Sequence, residues 1–144
     1  MGKDVRDLMT QNPRSIRPDD SVVEAARMLR DENVGSLPVV DGDRLVGMVT
    51  DRDIAMRVVA EGREPGSVSV QEVFSRDPVT TEATADLDDA MKLMARYQVR
   101  RLPVVEQGRL VGILAQADVA AETGDKQTGR LVEAISEPGS GENR

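Results

Sequence analysis

Residues 37–53, LPVVDGDRLVGMVTDRD, return as residues 102–118, LPVVEQGRLVGILAQAD, at an offset of 65 with nothing inserted between the copies. Leu37/Leu102, Pro38/Pro103, Val39/Val104, Val40/Val105, Arg44/Arg109, Leu45/Leu110, Val46/Val111, Gly47/Gly112 and Asp53/Asp118 are identical pairs. The same offset aligns Val5 with Val70, Pro13 with Pro78, Ala25 with Ala90 and Val34 with Val99. A register held from residue 5 to residue 120 of a 144-residue chain marks one structural unit written twice. Each copy has about 55 residues, near the lower limit at which a chain encloses its own core. Neither copy is expected to bury its apolar face alone, so the two are expected to form one pseudo-symmetric domain. The expected division is repeat one over 4–62, a linker rich in Gly, Pro and Ser over 63–69 and repeat two over 70–122. A C-terminal helical segment over 123–135 and a disordered tail over 136–144 follow.

Within each copy the pattern sets an element order. Residues 4–9 read as a short helix with Asp4 as N-cap, broken at Asn12-Pro13, and residues 14–17 as a short extended piece. Ser21-Val-Val-Glu24 reads as a capping box opening a helix whose apolar stripe is Val22, Ala25, Ala26, Met28 and Leu29. Residues 37–40 and 45–49 read as strands joined by the hairpin turn Asp41-Gly42-Asp43, and residues 51–61 as a second helix. The second copy repeats this: a capping box at Ser69/Glu72, an extended piece over 79–81, and a helix capped by Asp86 with the stripe Leu87, Ala90, Met91, Leu93 and Met94. Strands over 102–106 and 110–114 and a helix over 116–121 complete it; residues 128–135 suggest one more short helix. The fold class is α/β (α+β), two β-α-β-β-α repeats, each a small mixed sheet covered by two helices.

Composition narrows the function. Phe74 and Tyr97 are the only aromatics, and the net charge is −7. A base-stacking platform and a basic stripe are both missing, so nucleic acid is not the expected partner. With no His and no Cys, the commonest general base, the commonest transition-metal ligand, and thiolate and disulfide chemistry are absent. No apolar run reaches membrane-spanning length and the first residues, MGKDVRDLM, lack a signal peptide's apolar stretch. A cytoplasmic protein with no membrane partner is expected.

The repeated helix, LPVV, RLVG and, in the first copy, TDRD resemble a pair of cystathionine-β-synthase (CBS) domains, a Bateman module, over residues 4–122. With no catalytic or transport domain in the sequence, the chain resembles the stand-alone bacterial tandem type, and TGRLVEAISEP resembles the C-terminal helix of actinobacterial members such as the hypoxic response proteins. The resemblance implies two repeats packed sheet-to-sheet about a pseudo-two-fold axis, with two clefts that bind AMP, ADP, ATP or related adenosyl ligands in many members. It also implies a homodimer of modules and a regulatory role without catalysis.

Gly47-Met-Val-Thr50-Asp-Arg-Asp53 matches the nucleotide motif of that family, Gly-x-x-[Ser/Thr]-x-x-Asp. A strand ends and a helix begins at Thr50, so free N–H groups and the helix dipole favour a phosphate there. The Thr50 hydroxyl can donate to a phosphate, Arg52 can add charge, and Asp53 can accept from both ribose hydroxyls. Thr50-x-x-Asp53 is equally an ordinary capping box, and the two roles can alternate. In the second copy Ala115, Gln116 and Ala117 replace Thr50, Asp51 and Arg52, while Asp118 remains, so one good cleft and one weak or empty cleft are expected. By resemblance, an adenine slot is lined by Ser15, Ile16, Ser36, Leu37 and Pro38, with counterparts Thr80, Thr81, Arg101, Leu102 and Pro103; strand-start packing accounts for the Leu and Pro residues equally well. Arg100-Arg101 replace Gly35-Ser36 and read either as phosphate ligands or as a surface pair reaching Glu106 or Asp118. Neither Asp51/Asp53 nor Asp88/Asp89 converges as a metal pair, because residues one or two apart do not share a helix face.

Two functions compete on these grounds. One is a cytoplasmic adenine-nucleotide sensor (AMP, ADP or ATP), homodimeric, acting on an unidentified protein effector. The other is a ligand-free CBS dimer serving as a protein–protein interaction module. Catalysis is not expected, since no carboxylate pair shares a face and His and Cys are lacking.

Overall fold

The linker between the repeats is not where the structure divides. The computed structural model describes residues 3–123, and its two compact units are Arg14–Pro78 and a second that joins the segment up to Pro13 to the chain from Val79 onward. The leading segment of each repeat thus belongs to the unit of the other. The expected C-terminal helix over 128–135 and the tail over 136–144 lie outside the described residues.

In chain order the elements are α1 (Val5–Leu8), β1 (Thr10–Gln11), α2 (Val22–Glu32), β2 (Ser36–Asp41), β3 (Arg44–Thr50) and α3 (Asp51–Ile54). There follow β4 (Ser75–Arg76), β5 (Thr81–Glu82), α4 (Leu87–Tyr97), β6 (Arg101–Glu106), β7 (Arg109–Ala115) and α5 (Gln116–Thr123).

In the Arg14–Pro78 unit, β2 and β3 form an antiparallel hairpin, with Gly42 at φ +68° in the two-residue turn. Ile16 bridges Val39 in parallel on the outer side of β2, and β4 lies antiparallel on β3. Helix α2 begins at Ser21, whose hydroxyl accepts the Val23 N–H at 2.9 Å, and ends at Asn33 in the left-handed region. The expected reciprocal arm is not made: Glu24 pairs with Arg27 instead (3.3 Å). Val22, Ala25 and Leu29 bury the helix stripe; Ala26, assigned to it from spacing, is exposed. The core joins these to Ile16, Leu37, Val39, Val49, Val58, Val68, Val70, Val73 and Phe74. The last three belong to the start of the second repeat. They are held by Val22 N–H to Val68 O (2.9 Å), Val70 N–H to Asp20 O (2.8 Å) and Gln71 N–H to Pro18 O (2.8 Å). The Ser69/Glu72 box forms as expected but heads only a 3₁₀ turn, Val70–Glu72. The helix expected over 51–61 is α-helical only to Ile54; Ala55–Val59 is a π turn, closed by Ala60 N–H to Ala55 O at 2.9 Å.

In the other unit, β5 runs parallel to β6 through α4, β6 and β7 make the second hairpin, and β1 pairs with β7. Here both turn residues, Gln107 (φ 53°) and Gly108 (φ 80°), are left-handed. Helix α4 is capped by Asp86 and stopped at Gln98, again left-handed. The opening segment is laced in by Val5 N–H to Ala85 O (2.9 Å), Arg6 N–H to Ala83 O (3.0 Å) and Leu87 N–H to Lys3 O (2.8 Å). Val5 is fully buried in a core of Ala83, Leu87, Ala90, Met91, Met94, Val99, Leu102, Val104, Leu114 and Val119.

Candidate functional site

The first-copy motif folds where β3 ends and α3 begins. Across the β2–β3 ladder Ser36 sits opposite Thr50, Leu37 opposite Val49 and Pro38 opposite Met48. Asp51 N–H donates to the Gly35 carbonyl at 3.0 Å, which ties the first turn of α3 to the start of β2. Thr50 and Asp53 form a complete box: Asp53 N–H donates to Thr50 Oγ1 at 2.9 Å and Thr50 N–H donates to Asp53 Oδ2 at 3.0 Å. Both side chains are buried, Asp53 to 7% exposure. Ile16 donates its N–H to the Pro38 carbonyl (3.0 Å) and accepts from Val40 N–H (2.9 Å), so Ile16 lies alongside the middle of β2, preceded by the half-buried Ser15. The structure therefore gathers Ile16, Ser36, Leu37, Pro38, Thr50 and Asp53 at one end of one unit. Arg52 stands on the exposed side of α3.

The second copy repeats the frame with other contacts. Thr81, buried, pairs with Val104 in parallel; half-buried Thr80 precedes it. Arg101 sits opposite Ala115, Leu102 opposite Leu114 and Pro103 opposite Ile113. Gln116 N–H donates to the Arg100 carbonyl at 2.8 Å, the equivalent of the Asp51–Gly35 tie. Asp118 is only half-buried and accepts the Ala115 N–H at 3.3 Å.

Two residues at the first site escaped the sequence pattern. The Ser75 hydroxyl lies 3.3 Å from Asp53 Oδ1 and 3.4 Å from Oδ2. Arg57 places Nη1 3.9 Å from Asp53 Oδ1 while donating to the Val73 carbonyl at 2.8 Å. For Ser75 the available signal was the repeat itself, since Ser75 and Thr10 are hydroxyl residues at equivalent positions; for Arg57 it was the i,i+4 spacing from Asp53. The motif glycine has a packing role. A Cβ on Gly47 would collide with the Phe74 ring and the Ser75 carbonyl, so glycine is what lets β4 close on β3.

No cluster of three or more His, Cys, Asp or Glu able to hold a metal occurs among the described residues. Nor is any described helix long and apolar enough to cross a membrane.

Two β-β-α halves, each with a buried carboxylate or its half-buried counterpart at the strand-to-helix junction, define a paired-repeat module. The CBS domain family model matches residues 5–60 and 70–124, and the chain belongs to the CBS-domain family. It is similar to the CBS domain-containing protein YhcV of Bacillus subtilis (46% identity over 116 residues, 81% of this chain and 82% of that protein). It is also similar to hypoxic response protein 1 of Mycobacterium tuberculosis (34% over 134 residues, 92% and 94%). Inosine-5'-monophosphate dehydrogenase of Korarchaeum cryptofilum matches at 39% identity, but over only 22% of that enzyme. Among solved structures, hypoxic response protein I with two coordinated zinc ions superposes with a TM-score of 0.77 (33% identity, 85% of this chain and 100% of that one). CBSX2 in complex with AMP gives 0.72 (30%, 83% and 95%). The CBS domain pair of MJ0100 with 5'-methylthioadenosine and S-adenosyl-L-methionine gives 0.72 (28%, 84% and 95%). The fold is that of a CBS pair, a regulatory ligand-binding class with adenosine-type ligands among its members.

Proposed function

We propose that the chain is a non-catalytic regulatory module that binds an adenine nucleotide, AMP, ADP or ATP, at the first-copy site, and that it works as a cytoplasmic homodimer acting on a protein effector. The observation that carries this reading is the Asp53 carboxylate, buried in the first turn of α3 and hydrogen-bonded to Thr50, which pairs with Ser36 across the ladder. A buried carboxylate held by hydrogen bonds at such a junction suits a ribose diol, and Thr50 and Arg52 lie close enough in sequence to serve a phosphate. Ser15, Ile16, Leu37 and Pro38 line the adenine position in this reading. The counterparts Thr80, Thr81, Arg101, Leu102, Pro103 and Asp118 make a weaker second site, since Ala115 brings no hydroxyl. The adenosine-type ligands of CBSX2 and MJ0100 support the ligand class.

Titration calorimetry with AMP, ADP and ATP on wild type and Asp53→Ala tests it. One site per chain that disappears in a folded Asp53→Ala protein is the expected result; no heat with any of the three sinks the reading. The alternative, a ligand-free interaction module, draws on exposed Met56 (51%) and Val59 (65%) in the π turn, and saturable nucleotide binding separates the two.

A further inference from the structure

A carboxylate offers about four acceptor positions on its two oxygens. At Asp53 one takes the Thr50 N–H and a second takes the Ser75 hydroxyl, which sits between the two oxygens at 3.3 and 3.4 Å. Among the described residues no other donor takes the remaining two positions, the number a vicinal diol fills. Ser75 is brought there by β4, where it pairs with Met48 of β3. That pairing exists because Gly47 leaves room for Phe74 and the Ser75 backbone. Arg57, anchored on the Val73 carbonyl, stands beyond hydrogen-bond distance of Oδ1 and adds charge without occupying an acceptor position.

We propose that Ser75 is the positioning residue for sugar selection: its hydroxyl fixes the plane of the Asp53 carboxylate so that the two unfilled acceptor positions meet a ribose cis-diol, favouring ribonucleotides over 2'-deoxyribonucleotides. The proposal rests on the reading of Asp53 as the ribose acceptor. It also accounts for the weaker expected second site, where the equivalent residue, Thr10, is exposed and pairs with Ile113 on β1–β7.

The test is calorimetric titration of wild type, Ser75→Ala and Ser75→Thr with AMP and with 2'-deoxy-AMP, each variant checked for cooperative thermal unfolding. Loss of one hydrogen bond to a charged acceptor predicts about a tenfold fall in AMP affinity for Ser75→Ala. The 2'-deoxy-AMP affinity should change little, so the ratio between the nucleotides collapses, and Ser75→Thr should restore it. A purely structural role would weaken both nucleotides alike; an unchanged ratio in Ser75→Ala therefore overturns the proposal while leaving the nucleotide reading intact. Equal binding of both nucleotides by wild type overturns it in the same way. A folded wild type that binds neither overturns both.

Discussion

The two strand-to-helix junctions share a backbone and differ in what they do with one carboxylate. Asp53 closes a full box with Thr50 at 2.9 and 3.0 Å, faces the Ser75 hydroxyl and is buried; Asp118 keeps the Ala115 N–H at 3.3 Å and is half open to solvent. The tie from the first helical residue back to the preceding strand is the same in both, 3.0 Å from Asp51 and 2.8 Å from Gln116. Duplication preserved the frame, and the side chains then separated the roles. The frame depends on the hairpin and its glycine, whereas the carboxylate's environment depends on residues such as Thr50 and Ser75 that the frame does not require.

The largest effect should come from the glycines. Gly47→Ala drives a Cβ into an aromatic ring and a carbonyl and should cost about 3 kcal/mol. Gly112→Ala meets the Met9 thioether at 2.6 Å, a flexible tip, and the Thr10 carbonyl at 2.9 Å, and should cost about half as much. Urea unfolding at constant m measures both, and equal losses would break the comparison. Next come the caps: Thr50→Ala should cost about 1–2 kcal/mol, and Ala115→Thr should gain about 0.5 kcal/mol by completing the second box. Thermal unfolding reads both, and no gain from Ala115→Thr would mean the backbones differ more than their shared ties imply.

The smallest effect is electrostatic. Glu72 is pulled from 4.5 to about 2 by the Ser69 N–H, then by the Arg63 guanidinium and the Ser69 hydroxyl. Folding favours the charged form, so its contribution is complete above pH 4.5 and is lost as pH falls from there towards 2. Stability curves of wild type and Glu72→Gln should converge as pH falls through that window, and less steeply in salt because the pair is exposed. Parallel curves would remove Glu72 from the account.

Much of the frame was legible from the repeat: helices α2 and α4, both hairpins, the caps at Ser21, Ser69 and Asp86, and the Thr50/Asp53 box all stand where spacing put them. What was not legible depends on distant contacts. Nothing local marks Val5 as a partner of Ala85, or Val70 as a core residue of the first half, because an apolar residue in a short turn does not name its neighbour. Ser75 was missed for the same reason, since it reaches Asp53 only after β4 has folded back on β3, whereas Arg57 stands four residues beyond Asp53 and its approach is local. The π turn at Ala55–Val59 was hidden too, since its residues read as an ordinary helical run.

The exchange of leading segments also sets an order of events. The Arg14–Pro78 unit is one continuous stretch and has all its parts once Pro78 has left the ribosome. The other unit is held together by bonds from residues near the start of the chain to Ala83, Ala85 and Leu87. Until those residues are made, α1 has no core to enter. Val5, the most deeply buried part of that helix, is therefore made well before its partners and reaches its place only after them.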